Sequence, residues 1–251
     1  ENSMVDALNN GEFIVYFQPK YSLSDYQIIG AEALVRWDNP QKGLIPPIEF
    51  IPVFERNGFI VNIDFYVFEE VCKKIREWMD EGQKVVPISV NLSRMHFVNS
   101  NFIEKFKLIV DKYKIPTRLI ELELTETAVL DNIEGLLDTM NNLKEKGFVI
   151  SMDDFGTGYS SLNLLKELPV DILKLDRAFF TEKDESNNEK IVISNVIKMA
   201  KELKMKVISE GVETISQVEF LKQIGCDMVQ GYLFSKPMPV KEFEKIAFKK
   251  E

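Results

Sequence analysis

Short β-rich runs alternate with amphipathic helical patterns along the whole sequence, and this alternation limits the possible folds more than any other feature. Strands that alternate with helices form parallel sheets, which are connected by right-handed crossovers. Eight such units in 251 residues favour a TIM-like α/β fold, the (β/α)8 barrel, over an open sheet. The predicted strands are Ile14–Phe17, Ile28–Val35, Pro87–Asn91, Leu119–Leu124, Phe148–Met152, Ile172–Leu175, Val207–Ser209 and Met228–Gly231.

The first connection departs from this pattern. Only about ten residues separate the first two predicted strands, and Tyr21–Tyr26 between them is typical of a turn. A parallel crossover needs a dozen or more residues, so we expect the first strand to run antiparallel to the second. The polar segment Glu182–Lys190 is predicted to be a mobile loop. The predicted helices lie near Ile48–Glu55, Asp64–Asp80, Phe102–Lys112, Ile133–Lys146, Ser160–Glu167, Glu189–Leu203, Gln217–Ile224 and Val240–Phe248.

The composition is that of a globular protein, since 45% of the residues are apolar and 28% are charged. The net charge of −9 disfavours a nucleic-acid-binding protein, because phosphate contacts need a basic surface. Cys72 and Cys226 lie far apart and do not indicate a disulfide framework. Neither a signal peptide nor a membrane-spanning segment is predicted, so we expect a cytoplasmic location. Because the sequence starts at Glu1 without an initiator methionine, we interpret residues 1–251 as one domain of a longer multidomain protein.

Polar side chains follow the predicted strands where a barrel carries its active site, at the carboxyl ends. Any one of them could be a solvated carboxylate or part of an ion pair. Together, so many carboxylates must be protonated, paired with cationic side chains or bound to metal ions. Oxygen donors without cysteine or histidine favour Mg²⁺ or Mn²⁺ over zinc. These residues are Glu32, Arg36, Asn91, Glu123, Glu126, Asp153, Asp154, Lys174, Asp176, Glu210, Glu213 and Gln230.

Adjacent carboxylates at Asp153 and Asp154 can serve two cations together, and paired metal ions suit the hydrolysis of a phosphodiester. Lys174 could orient or deprotonate the attacking water, although an ion pair inside the barrel would explain it equally well. His96 is the single histidine, and we expect it to pack at the start of a loop. The sequence has no phosphate-binding glycine loop or dinucleotide fingerprint.

The segment Glu32-Ala33-Leu34-Val35-Arg36-Trp37 resembles the signature of the EAL domains, bacterial phosphodiesterases that open cyclic di-GMP to linear pGpG. The resemblance extends over nearly the whole chain and includes several further ordered motifs. It also implies a (β/α)8 barrel with an antiparallel first strand. The further motifs are Tyr16-Phe17-Gln18-Pro19-Lys20, Val90-Asn91-Leu92-Ser93, Glu123-Leu124-Thr125-Glu126, Asp153-Asp154-Phe155-Gly156, Lys174-Leu175-Asp176-Arg177, Ser209-Glu210-Gly211-Val212-Glu213 and Gln230-Gly231-Tyr232-Leu233.

What the resemblance implies for the metal site can be assigned residue by residue. It implies that a first cation is bound by Glu32, Asn91, Glu123 and Asp153. Asp153 then bridges to a second cation, which Asp154 and Glu210 also bind. Lys174 matches the lysine that contacts the hydrolytic water, and Gln230 matches a nearby polar support. Ca²⁺ is expected to occupy the site but to inhibit, because its longer bonds fit a small-ion site badly.

The resemblance also implies substrate contacts and a regulatory loop. Glu126 matches the glutamate that anchors the loop Phe155–Ser161, which the family couples to metal binding and to homodimer formation. A sensory or regulatory domain is expected before Glu1. Arg36 matches a residue that contacts a phosphate, and Asp64 and Glu213 match residues that lie near a guanine. The implied substrate-binding residues are Gln18, Leu34, Arg36, Asp64, Asp176, Glu213 and Pro237.

Two departures from the family pattern, at Asp38-Asn39 and at Phe54, lie outside the implied metal ligands. Glu121 shares a strand face with Glu123, and an ion pair is its simplest explanation. Two alternatives to the enzyme remain open. The first is an inactive receptor that binds cyclic di-GMP and acts through a partner protein; such proteins usually lack a ligand, the lysine or the loop glutamate. The second is a barrel whose carboxylates form internal ion pairs.

Overall fold

The computed structural model describes residues 2–98, 101–125, 133–156, 165–180 and 187–248. Its strands are β1 (Phe13–Ser22), β2 (Ile28–Asn39), β3 (Gly43–Ile45), β4 (Ile88–Asn91), β5 (Ile120–Thr125), β6 (Val149–Phe155), β7 (Ile172–Leu175), β8 (Lys206–Ser209), β9 (Met228–Val229) and β10 (Met238–Pro239). Its α-helices are α1 (Asn2–Asn9), α2 (Pro47–Asn57), α3 (Ile60–Asp80), α4 (Phe102–Tyr113), α5 (Ile133–Glu145), α6 (Asn187–Glu202), α7 (Ile215–Gln223) and α8 (Val240–Ala247). One-turn 3-10 helices lie at Arg94–Val98, Thr117–Leu119 and Arg177–Phe179.

A closed ring of strands, in the order β1-β9-β8-β7-β6-β5-β4-β2, confirms the predicted barrel. Each strand from β4 to β8 pairs in parallel with the next one, and β2 pairs in parallel with β4. Strand β1 pairs antiparallel with both of its neighbours in the ring, β2 and β9. The two remaining strands are short additions to the ring: β3 pairs with β2 and β10 pairs with β1. All the parallel strands therefore end at the same mouth of the barrel.

The first strand runs antiparallel to the second, as its short connection predicts. Phe13 pairs with Trp37 near the carboxyl end of β2, and Pro19 pairs with Ala31 farther down the ladder. Consequently β1 begins at the mouth, where the parallel strands end. Helix α1, which precedes β1, contacts the junction between α2 and α3, where Asn57 Nδ2 lies 3.4 Å from Met4 Sδ.

The core lies mainly between the strands and the surrounding helices. Leu122, Ile150 and Leu173 point outward from their strands and are fully buried. On the helical side, the rings of Phe68 and Phe106 stack with their centroids 3.9 Å apart. Alternate residues of the same strands point into the lumen, and there the buried side chains include charged ones.

Several elements differ from the sequence-based prediction. The short strands β3 and β10 and the helix α1 were not predicted, because none of them carries a long hydrophobic period. Helix α3 begins at Ile60, four positions before Asp64, and α6 begins at Asn187. The prediction of a loop over Glu182–Lys190 is therefore wrong for its last four residues, while residues 182–186 lie outside the described part. Among the described helices, none combines the length and the apolar composition needed to cross a bilayer.

Candidate active site

The carboxyl ends of four strands bring acidic side chains around one buried ammonium group at the barrel mouth. Lys174 Nζ, on β7, lies 2.6 Å from Glu123 Oε2, 2.8 Å from Glu210 Oε1 and 2.9 Å from Asp153 Oδ1. Glu32 Oε2 lies 3.9 Å from the same nitrogen. The side chain of Lys174 is only 1% exposed, so these contacts are formed out of reach of bulk water. The predicted convergence of these residues is confirmed.

A second ammonium group lies deeper in the lumen. Lys20 Nζ, on β1, lies 3.0 Å from Glu121 Oε1 and 2.9 Å from Glu123 Oε1. Strands β1 and β5 are not neighbours in the ring, so both ion pairs cross the lumen. Glu121 is thus in an ion pair, as the sequence analysis suggested, but that analysis did not identify Lys20 as its partner. The alternation of β1 could have identified it, since Lys20 shares a strand face with Gln18.

Amide side chains hold the carboxylate of Glu32 from two sides. Asn91 Nδ2, at the end of β4, donates to Glu32 Oε1 over 3.1 Å, and Gln230 Nε2 donates to Glu32 Oε2 over 2.6 Å. Gln230 Nε2 also lies 3.0 Å from Gln18 Oε1, and Gln18 Nε2 donates to the carbonyl of Ser235. Gln230 Oε1 is buried and has no hydrogen-bond partner among the described residues.

Strand β6 is irregular at the point where it carries its two aspartates. The pairing register with β7 shifts between Met152 and Phe155, and Asp154 has a left-handed backbone with φ of 56°. The backbone nitrogen of Asp154 donates to Asp153 Oδ1 over 2.9 Å. Such an irregularity re-aims side chains, and it lets consecutive carboxylates both stay near the mouth.

The electrostatics of the cluster follow from burial and from the small number of cations. Burial raises the pKa of Glu32 to about 7 and that of Glu210 to about 8. Burial acts in the same direction on Glu123, but the ammonium groups of Lys174 and Lys20 outweigh it and lower the pKa of Glu123 to about 2. Burial also opposes the charge of Lys174, yet the surrounding carboxylates raise its pKa well above the usual value. The carboxylates around Lys174 therefore favour its charged form.

A cleft of about 480 Å³ opens beside the carboxylates and is lined by Leu34, Asp64, Asn91 and Arg94 among others. Asp64 Oδ2 accepts hydrogen bonds from the backbone nitrogen of Ser93 over 3.0 Å and from His96 Nε2, also at 3.0 Å. Burial raises the pKa of Asp64 against the effect of these bonds. His96 lies in the first 3-10 helix, packed against aromatic rings, as expected of a buried histidine at the start of a loop.

The other predicted substrate contacts surround the mouth less closely. Arg36 is half-buried, and its guanidinium lies over the ring of Tyr16, 5.5 Å from the centroid. Asp176 accepts a hydrogen bond from the backbone nitrogen of Ala178 and begins the 3-10 helix after β7. Glu213 is exposed just before α7, and Pro237 precedes β10. Glu126 and residues 157–161 of the predicted regulatory loop lie outside the described residues.

The donor set suits hard divalent cations. Within the described part of the chain, no three Asp, Glu, His or Cys side chains form a ready-made metal site; the carboxylates converge on Lys174 instead. Five carboxylates, those of Glu32, Glu121, Glu123, Asp153 and Glu210, nevertheless contact only two ammonium groups. Oxygen donors with an excess of negative charge in a buried site are the environment that Mg²⁺ and Mn²⁺ prefer. The residues present therefore fit such cations.

Comparison with known proteins gives one consistent result. The EAL domain model matches residues 1–237. Among curated proteins, the chain is 37% identical over 236 residues to the bifunctional diguanylate cyclase/cyclic di-GMP phosphodiesterase MucR of Pseudomonas aeruginosa, covering 94% of this chain and 34% of that protein. It is 33% identical over 245 residues to the cyclic di-GMP phosphodiesterase PdeR of Escherichia coli, covering 98% of this chain and 37% of that protein. The chain thus spans about a third of the length of these relatives.

Solved structures agree with this result. The MucR phosphodiesterase in complex with c-di-GMP has a TM-score of 0.91 and 36% identity, and the match covers 96% of this chain and 98% of that chain. An EAL domain protein from Listeria monocytogenes has a TM-score of 0.84 and 29% identity, covering 97% of this chain and 96% of that chain.

Proposed function

The chain belongs to the EAL domain family, and from this premise we propose that it is a metal-dependent phosphodiesterase that hydrolyses cyclic di-GMP to linear pGpG. The observation that carries the proposal is the gathering of Glu32, Glu123, Asp153 and Glu210 at the mouth of one barrel around Lys174. Two relatives whose names include cyclic di-GMP phosphodiesterase are at least 33% identical to this chain over nearly its whole length.

The negative charge of the site supports the involvement of metal ions. Five buried or half-buried carboxylates of the described residues face two ammonium groups, so three negative charges are left without a counterpart when all five carboxylates are ionised. In the proposed assignment, Glu32, Asn91, Glu123 and Asp153 hold one Mg²⁺ or Mn²⁺. Asp153, Asp154 and Glu210 hold the other. A pair of such cations supplies positive charge to the phosphate and lowers the pKa of a water molecule.

The chain's own residues would then orient the reactants. Lys174 is proposed to contact the attacking water, and the carboxylates around it, which raise its pKa, favour its role as a hydrogen-bond donor. Gln230 holds Glu32 through the 2.6 Å hydrogen bond and thereby fixes the direction of that carboxylate. Glu126 is proposed to anchor the loop Phe155–Ser161, and this loop to link the site to a second copy of the chain.

The cleft beside the carboxylates has the size and lining of a binding site for part of a nucleotide. Leu34 supplies apolar surface and Asp64 supplies an acceptor for a guanine N–H group. Arg36 lies at the end of β2 and is proposed to bind a phosphate. Gln18, Asp176, Glu213 and Pro237 complete the proposed substrate contacts. Because the relatives are about three times longer, we also propose that the chain works beside a regulatory domain.

The test is to add cyclic di-GMP to the purified chain with Mg²⁺, with Mn²⁺ or with a chelator, and to separate the nucleotides by chromatography. We expect conversion to pGpG only when a divalent cation is present. Glu145→Gln, an exposed change on α5, is the matched control for Glu32→Gln at the site. Binding of cyclic di-GMP without conversion under every condition would identify a receptor, and neither binding nor conversion would favour a barrel with internal ion pairs.

A further inference from the structure

The turn that follows β7 lies between the two strand ends that carry the proposed ligands of the second cation. Strand β7 has β6 on one side and β8 on the other: Leu175 pairs with Phe155 and with Ser209. Asp153 and Asp154 lie on β6, and Glu210 follows β8 directly. The backbone nitrogen of Glu210 donates to the carbonyl of Leu175 over 2.9 Å, so this strand end is tied to β7.

The turn itself has a fixed backbone. Asp176 Oδ1 accepts from the nitrogen of Ala178 over 2.7 Å, and the nitrogen of Phe180 donates to the carbonyl of Arg177 over 2.8 Å. These bonds close the single 3-10 turn Arg177–Phe179. The backbone of the turn is thus held by hydrogen bonds within residues 176–180.

Both neighbouring strand ends pack against this turn through a glycine. Gly156 has φ of 99°, and a Cβ atom at this position would lie 2.1 Å from Cε2 of Phe179. On the other side, Gly211 has φ of 61°, and a Cβ atom there would lie 2.4 Å from Cβ of Arg177. Heavy atoms that close overlap, so the backbones at residues 156 and 211 are in direct contact with Phe179 and Arg177.

We propose that the turn Arg177–Phe179 is a spacer that sets the separation between the carboxylates of β6 and the carboxylate of Glu210. Phe179 and Arg177 are positioning residues for the second cation, because each holds one strand end at contact distance. The inference rests on the proposed function, since it assumes that Asp153, Asp154 and Glu210 share a cation. Of the four proposed ligands of the first cation, Glu32, Asn91 and Glu123 lie on β2, β4 and β5, away from this turn, and only Asp153 lies on β6, so the first cation is affected less than the second.

The experiment measures Mn²⁺ binding without nucleotide, by titration calorimetry and by electron paramagnetic resonance of paired Mn²⁺ ions. In Gly156→Ala and Gly211→Ala, the added methyl group pushes one strand end off the turn. We expect the weaker of two Mn²⁺ affinities to fall by about tenfold or more, and the stronger, for which only Asp153 lies on β6, to fall by less. The spectrum of paired ions should weaken in parallel. Phe179→Ala should also lower the weaker Mn²⁺ affinity, whereas Phe179→Leu, which keeps a large apolar side chain, should leave that affinity near the wild-type value.

Gly225→Ala is the matched control. Gly225 also has a positive φ, of 79°, but no heavy atom lies within 4 Å of a Cβ at this position. Gly225 lies between the end of α7 and the start of β9. Its substitution should lower the melting temperature by roughly 2–4 °C through backbone strain and leave both affinities unchanged. Circular dichroism of every variant separates loss of fold from loss of a cation.

Two results would overturn the spacer. If Gly156→Ala and Gly211→Ala bind both Mn²⁺ ions as tightly as Gly225→Ala does, the contacts with the turn do not position the carboxylates. If both affinities fall equally, the substitutions loosen the site in general. If the wild-type protein binds a single Mn²⁺, the proposed two-cation function itself is contradicted. If it binds two and the variants do not differ from the control, only the spacer is contradicted.

Discussion

The Lys20→Met substitution removes an ammonium group that lies 3.0 Å from Glu121 and 2.9 Å from Glu123 in the lumen. Glu123 keeps its contact with Lys174, whereas Glu121 loses the ion-pair partner that the structure gives it. Removing one member of a buried pair costs about 3–5 kcal/mol, because the other charge stays in a low-dielectric environment. Since domains are stable by only about 5–15 kcal/mol, this is a large fraction of the total.

A double-mutant cycle separates the pair from other effects of the substitution. Glu121→Gln alone leaves Lys20 paired with Glu123, so we expect a loss of about 1–2 kcal/mol. The combined variant no longer has an unpaired carboxylate at position 121. It should therefore be more stable than Lys20→Met, with a coupling energy of about 2 kcal/mol. The free energies come from unfolding in urea, followed by circular dichroism.

Lys112→Met serves as the matched control, because Lys112 pairs with Glu69 but its side chain is 61% exposed. An exposed pair contributes at most about 1 kcal/mol, so this variant should unfold close to the wild type. If Lys20→Met costs no more than Lys112→Met, or if the cycle gives no coupling, the argument that the lumen depends on this ammonium group is refuted.

The remaining predictions concern the site. Glu32→Gln should reduce turnover at least about 100-fold while circular dichroism and melting temperature stay near wild-type values, and normal turnover would contradict its role as a ligand. Without added metal, the pKa values of Glu32 (about 7) and Glu210 (about 8) lie above their unfolded values. Their contribution to stability is therefore present at low pH and is lost as pH rises through 7–8, so Mn²⁺ should raise the melting temperature more at pH 8 than at pH 6. An equal effect at both pH values would count against this linkage. Ca²⁺ should bind, as seen by calorimetry, yet inhibit turnover in Mg²⁺, and full activity in Ca²⁺ alone would disprove the small-ion site. Glu126→Ala should lower turnover without changing the affinity for the first cation, and an unchanged rate would argue against coupling through the loop.

The barrel could be predicted from sequence because each of its central elements carries its own pattern. The β8 segment contains a short apolar run, β4 and β5 alternate apolar and polar residues, and the helices between the strands have clear periods. The direction of β1 followed from the length of one connection. Strands β3 and β10 could not be predicted, since three and two residues are too few to show an alternation.

The convergence of the carboxylates around Lys174 could be predicted from the sequence, but their individual contacts could not. Strand ends and family motifs identified Glu32, Asp153 and Lys174, because chain order alone places them at the mouth. Which side-chain atoms come into contact across the lumen depends on the stagger between strands that are not consecutive in the sequence. For this reason the ion pair between Lys20 and Glu121 was missed. The hydrogen bonds of Asp64 to His96 and to Ser93 depend instead on how α3 packs against the segment after β4, which the sequence does not show.

The reversed first strand also determines where the polypeptide enters the barrel. In a barrel whose strands are all parallel, the first strand starts at the face opposite the catalytic one. Here β1 starts beside Trp37, so α1 rests against the α2–α3 junction at the rim, and α2 and α3 contribute Ile51 and Asp64 to the cleft. A torque or displacement applied to α1 would therefore reach the wall of that cleft through one helical junction, without passing across the barrel.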